Sequence, residues 1–284
     1  MHVHALICFN AHPGSGGGGG NPALVIEGAA PDPAARQAFA RERNTTCVFL
    51  DHGGDSDGDV DGDGATLRVD YFYPHMRSPL CLHATLAVAA LLFARPGAPA
   101  GIAVETALKG QRLVLSRDGD DYFVRLAPQP VPALVTPPTP ALVAALLNAS
   151  IAALPSPPRL ASVGSSKLLV EVADADALYA LRPDLPAIAA WGQAKGVNGI
   201  YAWCRRADGD YEGRNFNHLD PALEDSATGV AAGALSVALG HCLVLRQGRA
   251  SGRDCLIRTR FESTPEGTAL LVGGAAEPDS THAP

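Results

Sequence analysis

Two alanine-rich stretches decide the fold of this 284-residue chain: HATLAVAALLF at residues 83–93 and SATGVAAGALS at residues 226–236. A surface helix carries its apolar side chains on one stripe, whereas these stretches are apolar almost throughout, which predicts helices buried on all sides. Both have Ala-Thr at their second and third positions, and each follows an aromatic segment that ends in histidine, at 71–75 and 215–218. This internal similarity predicts two related domains, each a curved sheet around one buried helix.

The segments around these helices alternate between strands and helices, which is typical of a mixed α/β protein. Strands are predicted before the first buried helix at HVHALICF, ALVIEG, TTCVFLD and ATLRVDYFY. Between them lies a helix with Asp32 as N-cap, Pro33 in its first turn and Asn44 as the left-handed residue at its end. The proline-rich segment QPVPALVTPPTP is the best candidate linker, so we predict domains at residues 1–135 and 136–284.

The composition argues against several classes of partner. Hydrophobic residues make up 47% of the chain and the net charge is -7, so no basic surface is expected for nucleic acid or for an anionic membrane. No apolar run is long enough to cross a membrane and the N-terminal segment lacks a signal pattern, which predicts a cytoplasmic protein. Six cysteines without a CxxC pair predict buried, reduced thiols.

Two glycine-rich segments have open roles. Segment Gly14–Gly20 lacks the lysine of a phosphate-binding loop, and is either a surface loop or a lid over a substrate. Segment Asp55–Gly64 invites a calcium-binding interpretation, but Arg68 stands where a calcium loop needs a bidentate glutamate. A solvated hairpin loop is the better prediction for this segment, and no metal site is predicted.

The starts of the two buried helices are the predicted functional positions. A helix N-terminus presents unpaired backbone N–H groups and a partial positive charge, which together bind an anion such as a carboxylate. Either Asp225 or Ser226 is the N-cap of the second helix, or Asp225 is a proton-transfer group beside a bound anion, whose negative charge favours the protonated carboxyl group. His83 begins the first helix, and imidazole titrates near neutral pH.

The chain also resembles a known family. Five motifs carry the resemblance: GNPALVI, ARERN before a strand, PLCLHATLAVAALLF, EDSATGVAAGALSVAL and QGRASGRDCLIRTRFE. In this order and at this spacing they resemble the phenazine-biosynthesis PhzF-like family, which is similar in fold to diaminopimelate epimerase and proline racemase. The resemblance implies two α/β domains, each a barrel-like sheet wrapped around a central helix, with a cofactor-free active site in the cleft between them. It also implies a homodimer that isomerises or epimerises a small carboxylate-bearing substrate by proton transfer.

The family motifs are kept unevenly. The family's CGHAT is read here as CLHAT, which keeps His83, and its EDPxTGS is read as EDSATGV, which keeps Asp225 but ends in Val230. Ungapped counting from ARE places Cys47 where the family has its catalytic glutamate. The resemblance therefore implies that Asp225 holds or relays the proton and that His83 orients the substrate or reprotonates it, with Cys47 as a third candidate. The implied substrate-binding residues are Asn21, Cys81, Ala84, Thr228, Gly229 and Val230.

The departure at Cys47 leaves three alternatives open. Cys47 itself acts as acid and base, provided that helix termini or His83 lower its pKa. Cys81, which stands where the related racemases have their first catalytic cysteine, is the working thiol. The third alternative is a pocket without turnover. We therefore expect an isomerase, with a small-molecule binder and a thiol-dependent hydrolase or lyase using Cys47 or Cys81 with His83 as rival functions.

Overall fold

The structure, a computed structural model, describes residues 1–14, 19–52, 67–134, 138–217, 224–264 and 267–280. Its strands are β1 (His2–Cys8), β2 (Asn21–Glu27), β3 (Cys47–His52), β4 (Leu67–Phe72), β5 (Arg77–Ser78), β6 (Gly101–Thr106), β7 (Arg112–Asp118), β8 (Asp121–Leu126), β9 (Arg159–Ala161), β10 (Lys167–Glu171), β11 (Ile200–Arg205), β12 (Tyr211–Phe216), β13 (Val244–Gln247), β14 (Cys255–Thr264) and β15 (Gly267–Pro278). Its α-helices are α1 (Pro33–Arg43), α2 (Leu82–Phe93), α3 (Pro140–Leu147), α4 (Ala175–Ala180), α5 (Leu185–Lys195) and α6 (Gly229–Leu239). Short 3₁₀ helices lie at Ile151–Ala153 and Arg249–Ser251.

The chain divides into two compact units that are not consecutive halves. The first unit consists of residues 1–17, 21–125 and 273–284, and the second of residues 18–20 and 126–272. The predicted boundary at residue 135 falls in a short segment outside the described residues. A single boundary also cannot assign the last strand to one unit, because β15 begins in the second unit and ends in the first.

The first unit is a closed sheet around α2. Its strands are hydrogen-bonded in the order β1-β2-β3-β4-β6-β7-β8; β8 then pairs with β15, whose end pairs back with β1 at Leu6 opposite Pro278. Closure of this kind removes the exposed strand edges that would otherwise invite association. Every residue of α2 except Leu91 and Phe93 is buried, which confirms the prediction of a helix enclosed on all sides.

Helix α1 covers the outside of β2, β3 and β4. Asp32 caps it by accepting hydrogen bonds from two backbone N–H groups, and Asn44 ends it with a φ of 47°, both as predicted. Its packing face contributes Ala40 to an apolar cluster with Ile26, Cys47, Phe49 and Phe72.

Arg36 is the exception on this packing face, because it is a charged residue that α1 buries. Its guanidinium makes ion pairs with Asp51 and Asp70, and Arg77 makes a second ion pair with Asp70. Phe49 lies under the Arg36 guanidinium, 4.7 Å from carbon to ring centroid. The outer face of the first unit is therefore held by a buried ionic network as well as by apolar packing.

The second unit is a sheet that curves around α6. Its strands follow the order β9-β10-β11-β12-β13-β14-β15, and α6 contacts β14 near one end of this order and β9 and β10 at the other. One helix touches both ends only if the sheet bends around it. Small residues allow this close approach: a Cβ added at Gly233 would come within 2.8 Å of Val163 and 3.0 Å of Val272.

The opposite face of β10, β11 and β12 is covered by α3, α4 and α5. Alternate residues of these strands point into this second layer, as the two-residue period of a strand requires. The buried strand residues of the layer are Leu168, Val170, Ile200, Ala202, Cys204 and Phe216. The intervening residues of the same strands point toward α6.

The structure departs from the sequence predictions at a few described positions. The N-cap residue of α6 is Thr228 rather than Asp225 or Ser226, because the helix begins only at Gly229. Strands β5 and β9 are absent from the predicted elements, since two or three residues are too few to show an alternating pattern. Segment Asp55–Gly64 and most of Gly14–Gly20 lie outside the described residues. Among the described helices, none has the length and apolarity needed to span a membrane.

Candidate functional site

A thiol and an imidazole meet at the start of α2. Cys81 is the N-cap residue and His83 the second residue of the helix; both side chains are buried. The Cys81 Sγ lies 3.3 Å from the His83 Nδ1, which is hydrogen-bond distance for a sulfur atom. The structure thus brings together the predicted residues Cys81, His83 and Ala84 beside the backbone N–H groups of a helix N-terminus.

Two hydroxyl groups fix this helix start. Thr85 donates through its Oγ1 to the Cys81 carbonyl at 2.8 Å, and the Tyr71 hydroxyl lies 2.7 Å from the same Oγ1. Burial raises the pKa of Tyr71 far above its ordinary value, so Tyr71 stays a neutral phenol. Because Thr85 and Tyr71 are fully enclosed, the backbone at Cys81 is held in one position.

The carboxylate of Asp225 is held by hydrogen bonds at the start of α6. The Thr228 hydroxyl donates to the Asp225 Oδ2 at 2.6 Å, so the N-cap side chain of the helix binds Asp225 and caps no backbone group. Gln247 binds the same segment: its Nε2 donates to the Asp225 carbonyl at 2.8 Å and to the Thr228 Oγ1 at 3.0 Å. Its Oε1 accepts from the Tyr201 hydroxyl at 3.0 Å, which links Asp225 to the sheet.

Glu224 has a different role from its neighbour Asp225. Arg214 on β12 donates through Nε and Nη2 to the two Glu224 carboxylate oxygens at 2.9 and 2.8 Å, a bidentate ion pair. The third guanidinium nitrogen donates to the Leu178 carbonyl at 2.9 Å, and the guanidinium lies over the Phe216 ring. Bidentate pairs are geometrically specific, so Glu224 fixes the chain directly before Asp225.

A buried lysine lies in the same unit and was missed by the sequence predictions. Lys167 is 1% exposed, and its Nζ donates to the Asn215 Oδ1 at 2.9 Å. Burial lowers the pKa of Lys167 to about 7, and the Asp225 carboxylate acts in the opposite direction. A lone lysine at the first position of a strand is ordinarily solvated, so the sequence carries no signal that sets Lys167 apart.

Cys47 lies away from the α2 start. Its side chain packs with Ala40 and Phe49 under α1, and because strand residues alternate between faces, this face is opposite to the one that encloses α2. Burial raises the pKa of the Cys47 thiol to about 12, an effect that Arg43 only partly offsets. Acid–base chemistry at Cys47 requires a lowered pKa, whereas the buried surroundings of this thiol raise its pKa.

The remaining predicted residues follow the two helix starts. Thr228, Gly229 and Val230 are the N-cap and first two residues of α6 and lie beside Asp225. Asn21 is the first residue of β2, where it pairs with Cys8. The role of these positions in substrate binding stays a prediction. The α6 start has polar side-chain contacts to Asp225 from Thr228 and Gln247.

Comparison with known proteins identifies a family that matches almost the whole chain. The family of phenazine biosynthesis-like proteins, PhzC-PhzF, matches residues 12–280. The isomerase YddE of Escherichia coli K12, itself uncharacterized, is 30% identical over 95% of this chain and 96% of its own length.

Solved structures agree in fold. A PhzF-family protein from Bacillus anthracis aligns with a TM-score of 0.76 at 19% identity, covering 98% of this chain and 97% of that protein. A hydroxyproline epimerase from Agrobacterium vitis aligns with a TM-score of 0.57 at 13% identity, covering 97% of this chain and 90% of that protein. The chain therefore has the α/β fold shared by PhzF-like proteins and racemases of the proline type. It belongs to the phenazine biosynthesis-like family and is an isomerase.

Proposed function

We propose that this isomerase moves a proton on a small carboxylate-bearing substrate without a cofactor, and that the α2 start and the α6 start act on the same substrate. Asp225 takes up and returns the proton, and His83 orients the substrate or protonates the neighbouring carbon. The backbone N–H groups at the first turn of α6, at Gly229 and Val230, bind the substrate carboxylate. The Cys47 thiol has no part in this proposal.

The observation that carries the proposal is the set of contacts around Asp225. A general base must be held in one orientation while remaining able to accept a proton. Thr228 binds one carboxylate oxygen, Gln247 binds the backbone of Asp225, and Arg214 with Glu224 fixes the preceding residue. Asp225 is half-buried, whereas Thr228 and Gln247 beneath it are buried. A partly accessible carboxylate on a rigid, buried support fits a proton-transfer group.

The choice of substrates to test follows from the same chemistry. Proton transfer beside a carboxylate needs a carbon acid next to the acid group or an unsaturated system joined to it. The Agrobacterium vitis epimerase, which this chain resembles in fold, was solved with trans-4-hydroxy-L-proline. Cyclic and linear amino acids together with cyclic dienoic acids therefore form the panel.

Proton NMR in D2O tests the proposal directly. The protein is incubated with each panel compound, and loss of a carbon-bound proton signal is followed over time. Enzyme-dependent exchange at one carbon supports proton transfer and identifies the substrate class. Line broadening of a panel compound without any exchange contradicts the proposal and favours a small-molecule binder.

The contact between Cys81 and His83 favours a second candidate function. A thiol within 3.3 Å of an imidazole is the arrangement of a thiol nucleophile with its base. A thiol-dependent hydrolase or lyase would release product in a burst and form an adduct on Cys81 that mass spectrometry detects. Turnover of a competent substrate without burst or adduct rejects this candidate.

Replacing Cys47 by alanine is expected to leave the exchange rate within about twofold of wild type, because a buried neutral thiol does not transfer protons. The same change should lower the free energy of unfolding by about 1–2 kcal/mol, through the small cavity left among Ile26, Phe49 and Phe72. Exchange kinetics and urea unfolding measure the two effects. If the exchange rate fell by about a hundredfold or more, Cys47 would be an acid–base group after all.

Replacing Gly213 by alanine is expected to slow exchange by about 10- to 100-fold, since a displacement of about 1 Å in a catalytic group has effects of this size. A Cβ at this position on β12 would lie 2.2 Å from the Tyr201 hydroxyl, which is fully buried and bonded to Gln247. Tyr201 must then move and take Gln247 and the Asp225 backbone with it.

The matched control for this variant is Gly101→Ala on β6. There the nearest atom to a new Cβ is 3.7 Å away, an ordinary contact. Exchange kinetics are measured for both variants at a temperature where both are folded by circular dichroism. A Gly213→Ala protein as active as Gly101→Ala would show that Tyr201 and Gln247 do not position Asp225.

A further inference from the structure

Lys167 lies on the face of the sheet that supports Asp225. Leu169 pairs with Tyr201, and Tyr201 pairs with Asn215, so these three side chains share one face of β10, β11 and β12. Lys167 is two residues before Leu169 and is therefore on the same face. The neighbouring positions on the other face belong to the apolar layer under α3, α4 and α5. Lys167, Asn215 and Tyr201 thus form a polar group on the α6 side of the sheet.

This position is unusual for a lysine because it is both buried and without an ion-pair partner in contact. Within the described part of the chain, the Lys167 Nζ bonds to the neutral Asn215 Oδ1, and no carboxylate lies within ion-pair distance. Asn215 is 1% exposed, and its Nδ2 has no hydrogen-bond partner among the described residues. Burying an ammonium group with so few partners favours its neutral form.

Asp225 is the charged group that opposes this effect. Burial is the largest influence on the Lys167 pKa and lowers it to about 7, while the Asp225 carboxylate raises it. Two further titratable groups near Asp225 are neutral near pH 7. Burial raises the pKa of Tyr201 well above its ordinary value and that of Cys255 on β14 to about 12. Glu224 is charged, but Arg214 neutralises it in a bidentate pair.

We infer that Lys167 is a positioning residue for Asp225 and that the charge states of the two groups are coupled. Lys167 lies buried on the sheet face that carries Asn215 and Tyr201. The Tyr201 hydroxyl is joined to Asp225 through Gln247. The inference rests on the proposed role of Asp225 in proton transfer. When Asp225 takes a proton from the substrate, Lys167 loses a charge that favours its ammonium form. The charge states of the two groups are therefore coupled during each turnover.

Lysine-selective labelling measures this coupling without a substrate. The chain has three lysines, Lys109, Lys167 and Lys195, of which the first and last are exposed. Protein labelled with ¹³C at lysine Cε gives three side-chain signals, and the conservative variants Lys109→Arg and Lys195→Arg assign the third by elimination. Each signal is followed from pH 5 to pH 11 in wild type and in Asp225→Asn.

The expected result is that the signal assigned to Lys167 has a midpoint near pH 7. In Asp225→Asn the Lys167 midpoint should move to lower pH, because the carboxylate that favoured the ammonium group is gone. A Lys167 midpoint above about pH 9.5, or an identical midpoint in wild type and Asp225→Asn, overturns the inference. Both outcomes are independent of whether a substrate has been found.

The pH dependence of the free energy of unfolding gives a second readout. Between the folded midpoint near 7 and the unfolded value of 10.5, the unfolded chain holds a proton that folded Lys167 has lost. The Lys167 contribution to stability therefore rises with pH across this window, by a factor of up to about ten in the unfolding equilibrium constant per pH unit. The buried thiols of Cys47 and Cys255 contribute with the opposite sign, so this slope is read as the difference between wild type and Lys167→Met. Lys167→Met should lack this slope, whereas the control Lys195→Met should keep it. A slope of equal size in Lys167→Met contradicts the inference.

The pH profile of catalysis separates positioning from a purely structural role. Wild type and Lys167→Met should differ in the shape of the pH profile of kcat/KM near pH 7, while both remain folded. If the two pH profiles coincide after scaling, Lys167 serves structure alone and the inference is wrong. Absence of exchange by wild type on every substrate would count against the proposed function, and the lysine titration would still decide the coupling.

Discussion

Replacing Asp225 by asparagine is expected to slow proton exchange on the substrate by about 10²- to 10⁴-fold, the contribution typical of a general acid–base group. Asparagine has the shape of aspartate and keeps one side-chain oxygen. In the wild-type protein the Thr228 hydroxyl donates to Asp225 Oδ2 at 2.6 Å, and the asparagine oxygen can accept the same hydrogen bond. What it loses is the ability to take up a proton. The effect should therefore appear in kcat with little change in the affinity for a carboxylate ligand.

The matched control for this prediction is Asp208→Asn. Asp208 is an exposed carboxylate in the turn before β12, paired with Arg206. The same chemical change there should leave exchange at the wild-type rate. Exchange is measured by proton NMR in D2O, and ligand affinity by titration calorimetry. Unchanged exchange in Asp225→Asn would remove Asp225 from the mechanism, and lost affinity with an unchanged kcat would make it a binding residue.

The parts of the fold that the sequence predicts are those specified by local patterns. Helix α1 is bounded by a capping aspartate and a left-handed asparagine, and each of these signals acts within a few residues. The burial of α2 follows from apolar residues on all of its sides, which leaves it no surface position. The course of β15 between the two units has no such signal, because pairing with β1 joins residues at opposite ends of the chain.

The candidate site is predictable only where its residues belong to a motif. Asp225 and His83 follow from helix starts and from the family resemblance; His83 is the second residue of α2, and Asp225 lies three residues before the N-cap residue of α6. Lys167 is a single residue whose burial depends on β11, β12 and α6 closing over it, so its environment exists only in three dimensions. Cys47 illustrates the converse, because its face of β3 is set by the register with β2 and β4, which counting along the sequence does not give.

Replacing Arg36 by methionine is expected to lower the free energy of unfolding by about 3–5 kcal/mol, because it removes one partner from a buried ionic network. Arg36 donates to Asp51 at 2.7 and 2.9 Å and to Asp70 at 3.2 Å, and Arg36 and Asp70 are 3% and 4% exposed. Methionine fills similar space but cannot pair with Asp70. Of the ionic network, Arg77 alone then remains paired with Asp70. The matched control is Arg68→Met, whose pair with Glu105 is exposed and should change stability by less than about 1 kcal/mol.

The cause of this loss can be separated from a simple packing defect by a second change. Both tryptophans, Trp191 and Trp203, lie in the second unit, so unfolding of the first unit is followed in urea by far-UV circular dichroism rather than by fluorescence. If the buried Asp70 charge, which then has Arg77 as its remaining partner in this network, is the cause, adding Asp70→Asn to Arg36→Met should restore part of the lost stability, a coupling of about 1 kcal/mol or more. Asparagine at this position still accepts from Arg77 but no longer buries a charge. Strictly additive losses would instead show that Arg36 stabilises α1 through its other contacts, with Asp51 and Phe49.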